Sequence, residues 1–353
     1  MIYPRLSLFA RRCTALPTSI SPSPTLFVTS EPRSSSTRHH RNHHHYYSDS
    51  TSKPTTMSSA AEATARNEAA LGRNPHGDFK SVEASRPPFD GNNGFRYTQT
   101  PAPEWKYGSG ANTPAPESAK HITIDPYAPD RPARLNYKLL IGAVVPRPIA
   151  FVSTVGADGS HNLAPFSYFN MINHDPPLFV IGFASAASGE TAKDTVRHLS
   201  ETGECVINII SESFVEAANA TSVNAPHGVS EWDLSGLTPV RDCETVKPPR
   251  VGEAIFSVEG KVESLREFKS KSTPGKTSGT MAVIEGTRFW VREDAINAER
   301  DLIDPKVLRP ISRLGGITYG RTTEAFELTR PDFEKDVGGR AGYEKLKSDA
   351  ATK

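Results

Sequence analysis

Polar and apolar residues alternate with period two over residues 255–262. Phe256, Val258 and Val262 fall on one side, and Ser257, Glu259, Lys261 and Glu263 on the other. That alternation predicts a strand with one buried face and one wet face. Residues 281–291 repeat it through Val283, Phe289 and Val291. Residues 143–155 are rich in β-branched side chains and close on Gly156-Ala157-Asp158-Gly159, a hairpin turn signal. The chain returns over 162–172 as a strand. Pro176-Pro177 interrupts it before the apolar run 178–183, and 205–210 reads as a further buried strand. Two short helices punctuate this order. Over 191–199, Val196 and Leu199 share a face and Gly203 follows as a stop, and 214–220 forms the second. Strands dominate without a βαβ rhythm, which predicts a mainly β chain: an antiparallel barrel with short helices at its margins.

The flanks have another texture. The first fifty residues hold six arginines, no lysine and only Glu31 and Asp49 as acids, with Ile2, Leu6, Phe9 and Cys13 at helical spacing. Residues 1–56 therefore read as a mitochondrial transit peptide, or as an extension ahead of an alternative start at Met57 in a cytoplasmic protein. Five histidines between His39 and His45 stand in a segment with no core to fix a metal geometry, so they read as a disordered tract. Residues 57–120 are rich in Ala, Ser, Asn, Gly and Pro with unperiodic aromatics, an extended arm whose rings dock on the barrel. The domain is expected over 121–335, and 336–353 as a flexible tail.

Composition narrows the function. The 41 basic and 40 acidic residues leave a net charge of +1, without the basic excess of a nucleic-acid partner. Three cysteines, Cys13, Cys205 and Cys243, have no metal-site spacing. No stretch reaches the ~18 uninterrupted apolar residues of a membrane span. GxGxxG after a strand, the P-loop, GxSxG and HExxH are all missing.

Two segments can carry chemistry. Lys193-Asp194-Thr195 opens the helix after the apolar run. With Asp194 or Thr195 as its cap it is either a phosphate cradle of free amides, hydroxyl and ammonium, or an ordinary cap beside a solvated lysine. Asn162-Leu163-Ala164-Pro165-Phe166-Ser167-Tyr168-Phe169-Asn170 offers apolar walls with a few hydrogen-bonding groups, as a flat heteroaromatic ring requires, or is a core strand with a satisfied amide. Other polar residues read as structural: His227 as an exposed loop residue, His198 as a surface residue, and His174 with Asp175 as turn formers. Arg309 and Arg313 read as partners of a phosphate or of a carboxylate across an interface.

The ordered set of segments is more telling than any one. Pro146-Arg147-Pro148-Ile149-Ala150-Phe151-Val152-Ser153-Thr154, the 162–170 segment and Pro176-Pro177 come first. Lys193-Asp194-Thr195, Gly203-Glu204-Cys205-Val206-Ile207-Asn208 and Arg309-Pro310 with Arg313-Leu314-Gly315-Gly316-Ile317-Thr318-Tyr319 follow. Together they resemble the flavin reductase-like family of FMN-binding split barrels, in its flavoredoxin-like branch. The resemblance implies a homodimeric split β-barrel with one FMN per protomer near the interface. It implies cofactor contacts at Arg147, Pro148 and Ile149, at Asn162, Ala164, Pro165, Phe166, Ser167, Phe169 and Asn170, and at Lys193, Asp194 and Thr195. The activity implied is NAD(P)H-dependent flavin reduction, with NADH or NADPH as donor. An FMN-dependent oxidase or oxygenase on a small organic substrate, and an electron carrier with little turnover, are the alternatives. Trp290 stands where many relatives have a histidine. No catalytic residue and no metal ligand is assigned.

Overall fold

The computed structural model describes residues 74–116 and 118–351. The transit-peptide reading of 1–56 and the histidine tract lie outside the described residues. Seven antiparallel strands form the main sheet in the order β3-β2-β6-β9-β10-β5-β4. They are β2 (Ala150–Val155), β3 (His161–Phe166), β4 (Phe169–His174), β5 (Pro177–Phe183), β6 (Glu204–Ile209), β9 (Phe256–Lys269) and β10 (Thr277–Val291). Small pairs add β1 (Arg96–Tyr97) with β13 (Glu324–Ala325), β7 (Pro239–Val240) with β8 (Arg250–Val251), and β11 (Ile311–Arg313) with β12 (Tyr319–Arg321).

The two edge strands, β3 and β4, are neighbours in sequence, joined only by Ser167 and Tyr168, yet they are not paired with each other. So short a link holds the two edges near one another, and the sheet must curl to bring them there. The result is a barrel open along one seam: a split β-barrel.

Side-chain alternation sends residues to two cores. Ala150 and Val152 join Ile181, Phe183, Ile207, Val258 and Ile284 in one cluster. Phe151 between them joins Ile149, Leu163, Ile210, Phe214 and Trp232 in the other, beneath the short helices. Because β2 is covered on both faces it carries no polar stripe.

Several expectations change. Residues 143–149 are not strand. A helix, Ala133–Ala143, ends there, and Pro146 and Pro148 lack the N–H donors a ladder needs. Residues 162–172 form two strands, not one, broken at Ser167 and Tyr168. The wet face expected of β9 is dry at its start, where Ser257 and Glu259 are fully buried. The loop bearing Glu244 and Thr245 covers that half, and only from Lys261 onward does the strand meet solvent. The expected flexible tail, 336–353, contains the helix Gly339–Ala351. The arm is partly structured: it contains the helix Phe79–Ala84, and β1 runs parallel to β13, with Arg96 ion-paired to Glu324 at 2.6 Å. Apolar residues of β9 and β10 such as Val258, Ala282 and Ile284 fill the core. No helix among the described residues is long and apolar enough to cross a membrane.

Glu259 shows what the buried half of β9 requires. Its carboxylate accepts from the amides of Glu244 (3.0 Å) and Thr245 (2.6 Å), from Thr245 Oγ1 (2.5 Å) and from Trp290 Nε1 (2.7 Å). Burial pushes the carboxyl up, but these donors outweigh it and hold it below the ordinary glutamate range. A carboxyl lowered on folding contributes stability above its unfolded pKa, and loses it as pH falls through the folded value. Glu259→Gln turns one end of the side chain into a donor facing donors. The expected cost is about 1–3 kcal/mol at neutral pH, read as a lower urea midpoint at unchanged slope. The variant should also lose the acid-side drop in stability that Glu259 gives the parent below about pH 5.

Candidate active site

The helix Asp194–Thr202 packs its buried face, Thr195, Val196, His198 and Leu199, against the barrel. Val196 and Leu199 enter the first core, and Gly203 ends the helix at φ 70°, where a side chain is disfavoured. The expected cap is absent: Lys193 holds the cap position, and no side chain accepts from the first amides. Asp194 instead pairs with Arg197 one turn along. The helix therefore presents unsatisfied N–H groups at its start.

Thr195 faces the sheet, and Asn162 Nδ2 on edge strand β3 donates to its hydroxyl at 2.7 Å, both residues being buried. The two predicted segments thus meet. From Asn162 the seam follows β3 to Ser167 over about 17 Å at ~3.4 Å per residue. Ala164, Pro165 and Phe166 are half-buried along it, with Phe166 edge-on to Phe183 at 4.7 Å. Phe169 stacks on Phe179, and Asn170 is exposed on β4.

At the far end Ile149 is buried and Pro148 exposed. Arg147 is the surprise, for its side chain ties the surrounding segments together. Nη1 donates to the carbonyls of Ile141 (2.5 Å) and Val144 (2.8 Å), Nη2 to Leu314 (3.0 Å), and Nε to Ser167 Oγ (3.4 Å). One guanidinium thus joins the C-terminal end of the helix Ala133–Ala143, the glycine loop and the β3–β4 link. Burial lowers its pKa. Its backbone bridges Arg313, and Gly315 lies so close to the helix that a Cβ there would be 3.3 Å from Gly142 Cα. Arg313 donates to the carbonyl of Gly316 (2.7 Å) and stacks on Tyr319 at 4.3 Å, while Arg309 pairs within the chain with Glu212 at 2.6 Å. The carboxylate that Arg309 meets thus belongs to its own chain.

Two further residues escaped the sequence reading. His198 is fully buried, not a surface residue, with Nδ1 3.0 Å from Thr154 Oγ1 and Nε2 3.2 Å from Ser160 Oγ. Its spacing beside Leu199 on the apolar face was the available signal. Burial lowers its pKa and favours the neutral ring. Glu231 is buried and accepts from the Leu163 amide at 3.2 Å, satisfying an edge donor of β3. Burial raises its pKa. His227 is exposed as expected, between Asp158 (3.3 Å) and Asp194 (3.4 Å). His227, Asp158, Ala157, Arg197, His198 and Glu201 border a cleft of about 320 Å³ between the helix and the β2–β3 turn. None of the predicted cofactor residues lines it. Trp290 lies across the sheet, on a register row running Trp290, Ser257, Asn208, Phe151, Pro165. The described cysteines are poor nucleophiles, as burial pushes Cys205 up to about 12 and Cys243 up to about 11.

Residues 142–305 match the model of the flavin reductase like domain. An uncharacterised protein of Halalkalibacterium halodurans is 39% identical over 201 residues, covering 57% of this chain and 93% of its own length. Among solved structures, nitrilotriacetate monooxygenase component B from Bacillus cereus is 36% identical with a TM-score of 0.54, the match covering 60% of this chain and 100% of that one. The 2-nitrobenzoate 2-nitroreductase of Pseudomonas fluorescens is 30% identical with a TM-score of 0.51, covering 61% and 98%. With its split barrel, and with the helix start and the arginine-tied glycine loop at opposite ends of the seam, this chain belongs to the flavin reductase-like family of flavoprotein oxidoreductases.

Proposed function

We propose that the chain binds FMN along the seam and acts as an NAD(P)H-dependent oxidoreductase of the flavin reductase type, as a homodimer. The observation that carries FMN is the meeting of Asn162 and Thr195 at an uncapped helix start. Unsatisfied helix amides, a hydroxyl and the exposed Lys193 ammonium are what a terminal phosphate requires. From there the seam runs about the length of an extended ribityl chain and ring, past the apolar surfaces of Ala164, Pro165, Phe166 and Phe169. Pro148 and Ile149 border its ring end. Arg147 contributes backbone and charge there, because four of its five side-chain N–H donors are already engaged.

A bound flavin would supply the two-electron chemistry, and this chain's residues would hold and orient it. His198 in its neutral form props the β2–β3 turn against the helix. Direct reduction of a small organic acceptor is a second reading, supported by the likeness to the nitroreductase of Pseudomonas fluorescens. Steady-state oxidation of NADH and NADPH separates the two. Turnover that requires added free flavin supports the first, and turnover with a nitroaromatic acid in its place supports the second.

Homodimer formation is supported by exposed apolar side chains flanking the seam. Leu139, Leu140 and Val144 at the helix end, with Met171 and Ile172 on edge strand β4, are each at least 45% exposed. This is the kind of surface an isologous interface covers.

Two outcomes are expected. Lys193→Ala with Thr195→Ala should weaken FMN binding at least about a hundredfold, from about 1.5–3 kcal/mol per charge-assisted contact, while riboflavin affinity stays within a few-fold. Titration by flavin fluorescence reads both, and equal losses would reject the phosphate assignment. Leu140→Glu with Ile172→Asp should convert a dimer to a monomer with reduced FMN content in sedimentation velocity. A parent protein that sediments as a monomer with its full FMN would reject the interface.

A further inference from the structure

Arg147 and Arg313 form an unusual pair. Their backbones exchange both hydrogen bonds of a bridge, Arg147 N to Arg313 O at 3.0 Å and Arg313 N to Arg147 O at 2.9 Å. Among the described residues neither guanidinium forms an ion pair with a carboxylate. Arg147 binds three carbonyls and a hydroxyl, and Arg313 binds two carbonyls and stacks on Tyr319. Each cation opposes the other, and Arg147 is 8% exposed, so solvent does little to screen it. Elsewhere this chain supplies acids to its partly buried arginines: Glu212 takes both Arg309 and Arg321, and Asp242 takes Arg250. At the end of the seam it withholds them.

Carbonyl dipoles and an aromatic face solvate a guanidinium but leave its net charge in place. Two such charges side by side, fixed by backbone, form a pre-oriented positive centre. It stabilises negative charge arriving nearby at no cost in reorganisation. Ser167, at the seam's end, accepts from Arg147 Nε, which joins this centre to the link between β3 and β4.

We propose that Arg147 and Arg313 are tuning residues: their uncompensated charge favours the reduced, negatively charged form of the flavin ring over the oxidised, neutral form. This rests on the FMN reading, which puts the phosphate at Thr195 and therefore the ring at the opposite end. Reduction by two electrons with uptake of one proton leaves the ring anionic, so a fixed positive centre beside it raises the midpoint potential.

The test is a spectroelectrochemical titration of the flavin-loaded full chain and of three variants. Arg313→Gln removes one charge without touching the Arg147 contacts, Arg147→Met removes the other, and Arg147→Lys keeps it. Each neutral variant should lose at least tenfold of the preference for reduced over oxidised flavin, a downward shift of about 30 mV for a two-electron couple. Arg147→Lys should stay close to the parent. If Arg147→Met does not fold, Arg313→Gln alone decides. An unchanged potential in a folded, flavin-loaded Arg313→Gln overturns the inference. So does a variant that loses FMN affinity while keeping riboflavin affinity, since the pair would then be a phosphate site. Failure of the parent chain to bind any flavin would reject the FMN reading itself, an outcome distinct from both.

Discussion

Two residues, Ser167 and Tyr168, join the strands that form the opposite edges of a seven-stranded sheet. Everything else in the domain answers to that constraint. The edges must approach each other, yet their amides and carbonyls are not shared between them, so the barrel has a seam along which the two strands do not pair. Such an edge needs a covering. Glu231 supplies one acceptor, to Leu163, and the helix Asp194–Thr202 closes one end through Thr195 and Asn162. Arg147 closes the other by gathering the ends of three segments. Between them runs the seam, lined by the half-buried Ala164, Pro165 and Phe166.

The seam's two ends differ in kind. At the helix end the first backbone donors have no side-chain cap and the Lys193 charge is exposed. At the arginine end most of the Arg147 donors are engaged, and two backbone hydrogen bonds hold Arg147 and Arg313 beside each other. A ligand with a phosphate at one terminus and an electron-accepting ring at the other has the matching asymmetry. The same contrast explains why Asp194, although within the phosphate segment, does not itself serve as a ligand in the proposed reading. It pairs with Arg197 and leaves the helix start to Thr195 and Lys193.

How much of this could be read from residues alone follows from where each signal resides. The strands β5, β6, β9 and β10 were legible because their side chains alternate or run apolar, and the helix stop at Gly203 because a left-handed residue closes it. The helix Ala133–Ala143 was not, since Leu139 and Leu140 are exposed and no apolar stripe marks its buried side. The break between β3 and β4 was invisible, because every residue from Pro165 to Asn170 suits an extended chain. Of the site, the grouping of the two cofactor segments was legible only through family resemblance. The role of the Arg147 side chain was not, for its partners are main-chain carbonyls, one of them 167 positions away. Backbone acceptors leave no trace in a side-chain pattern. His198 was misjudged because a polar letter on an apolar face was read as surface, when two hydroxyls already satisfied both ring nitrogens.

The pairing of β1 with β13 has a consequence for the order of events during synthesis. Arg96 meets Glu324 across 228 positions of chain. At ~5–20 residues per second on a ribosome, Arg96 emerges roughly 10 to 45 s before its partner strand exists. Phe89, which lies under the Arg321 guanidinium at 4.2 Å in the finished protein, waits through nearly the same interval without its cover. The barrel strands, all encoded before residue 292, can close first. The arm, although translated ahead of the domain, cannot complete this pairing until every barrel strand has already been made.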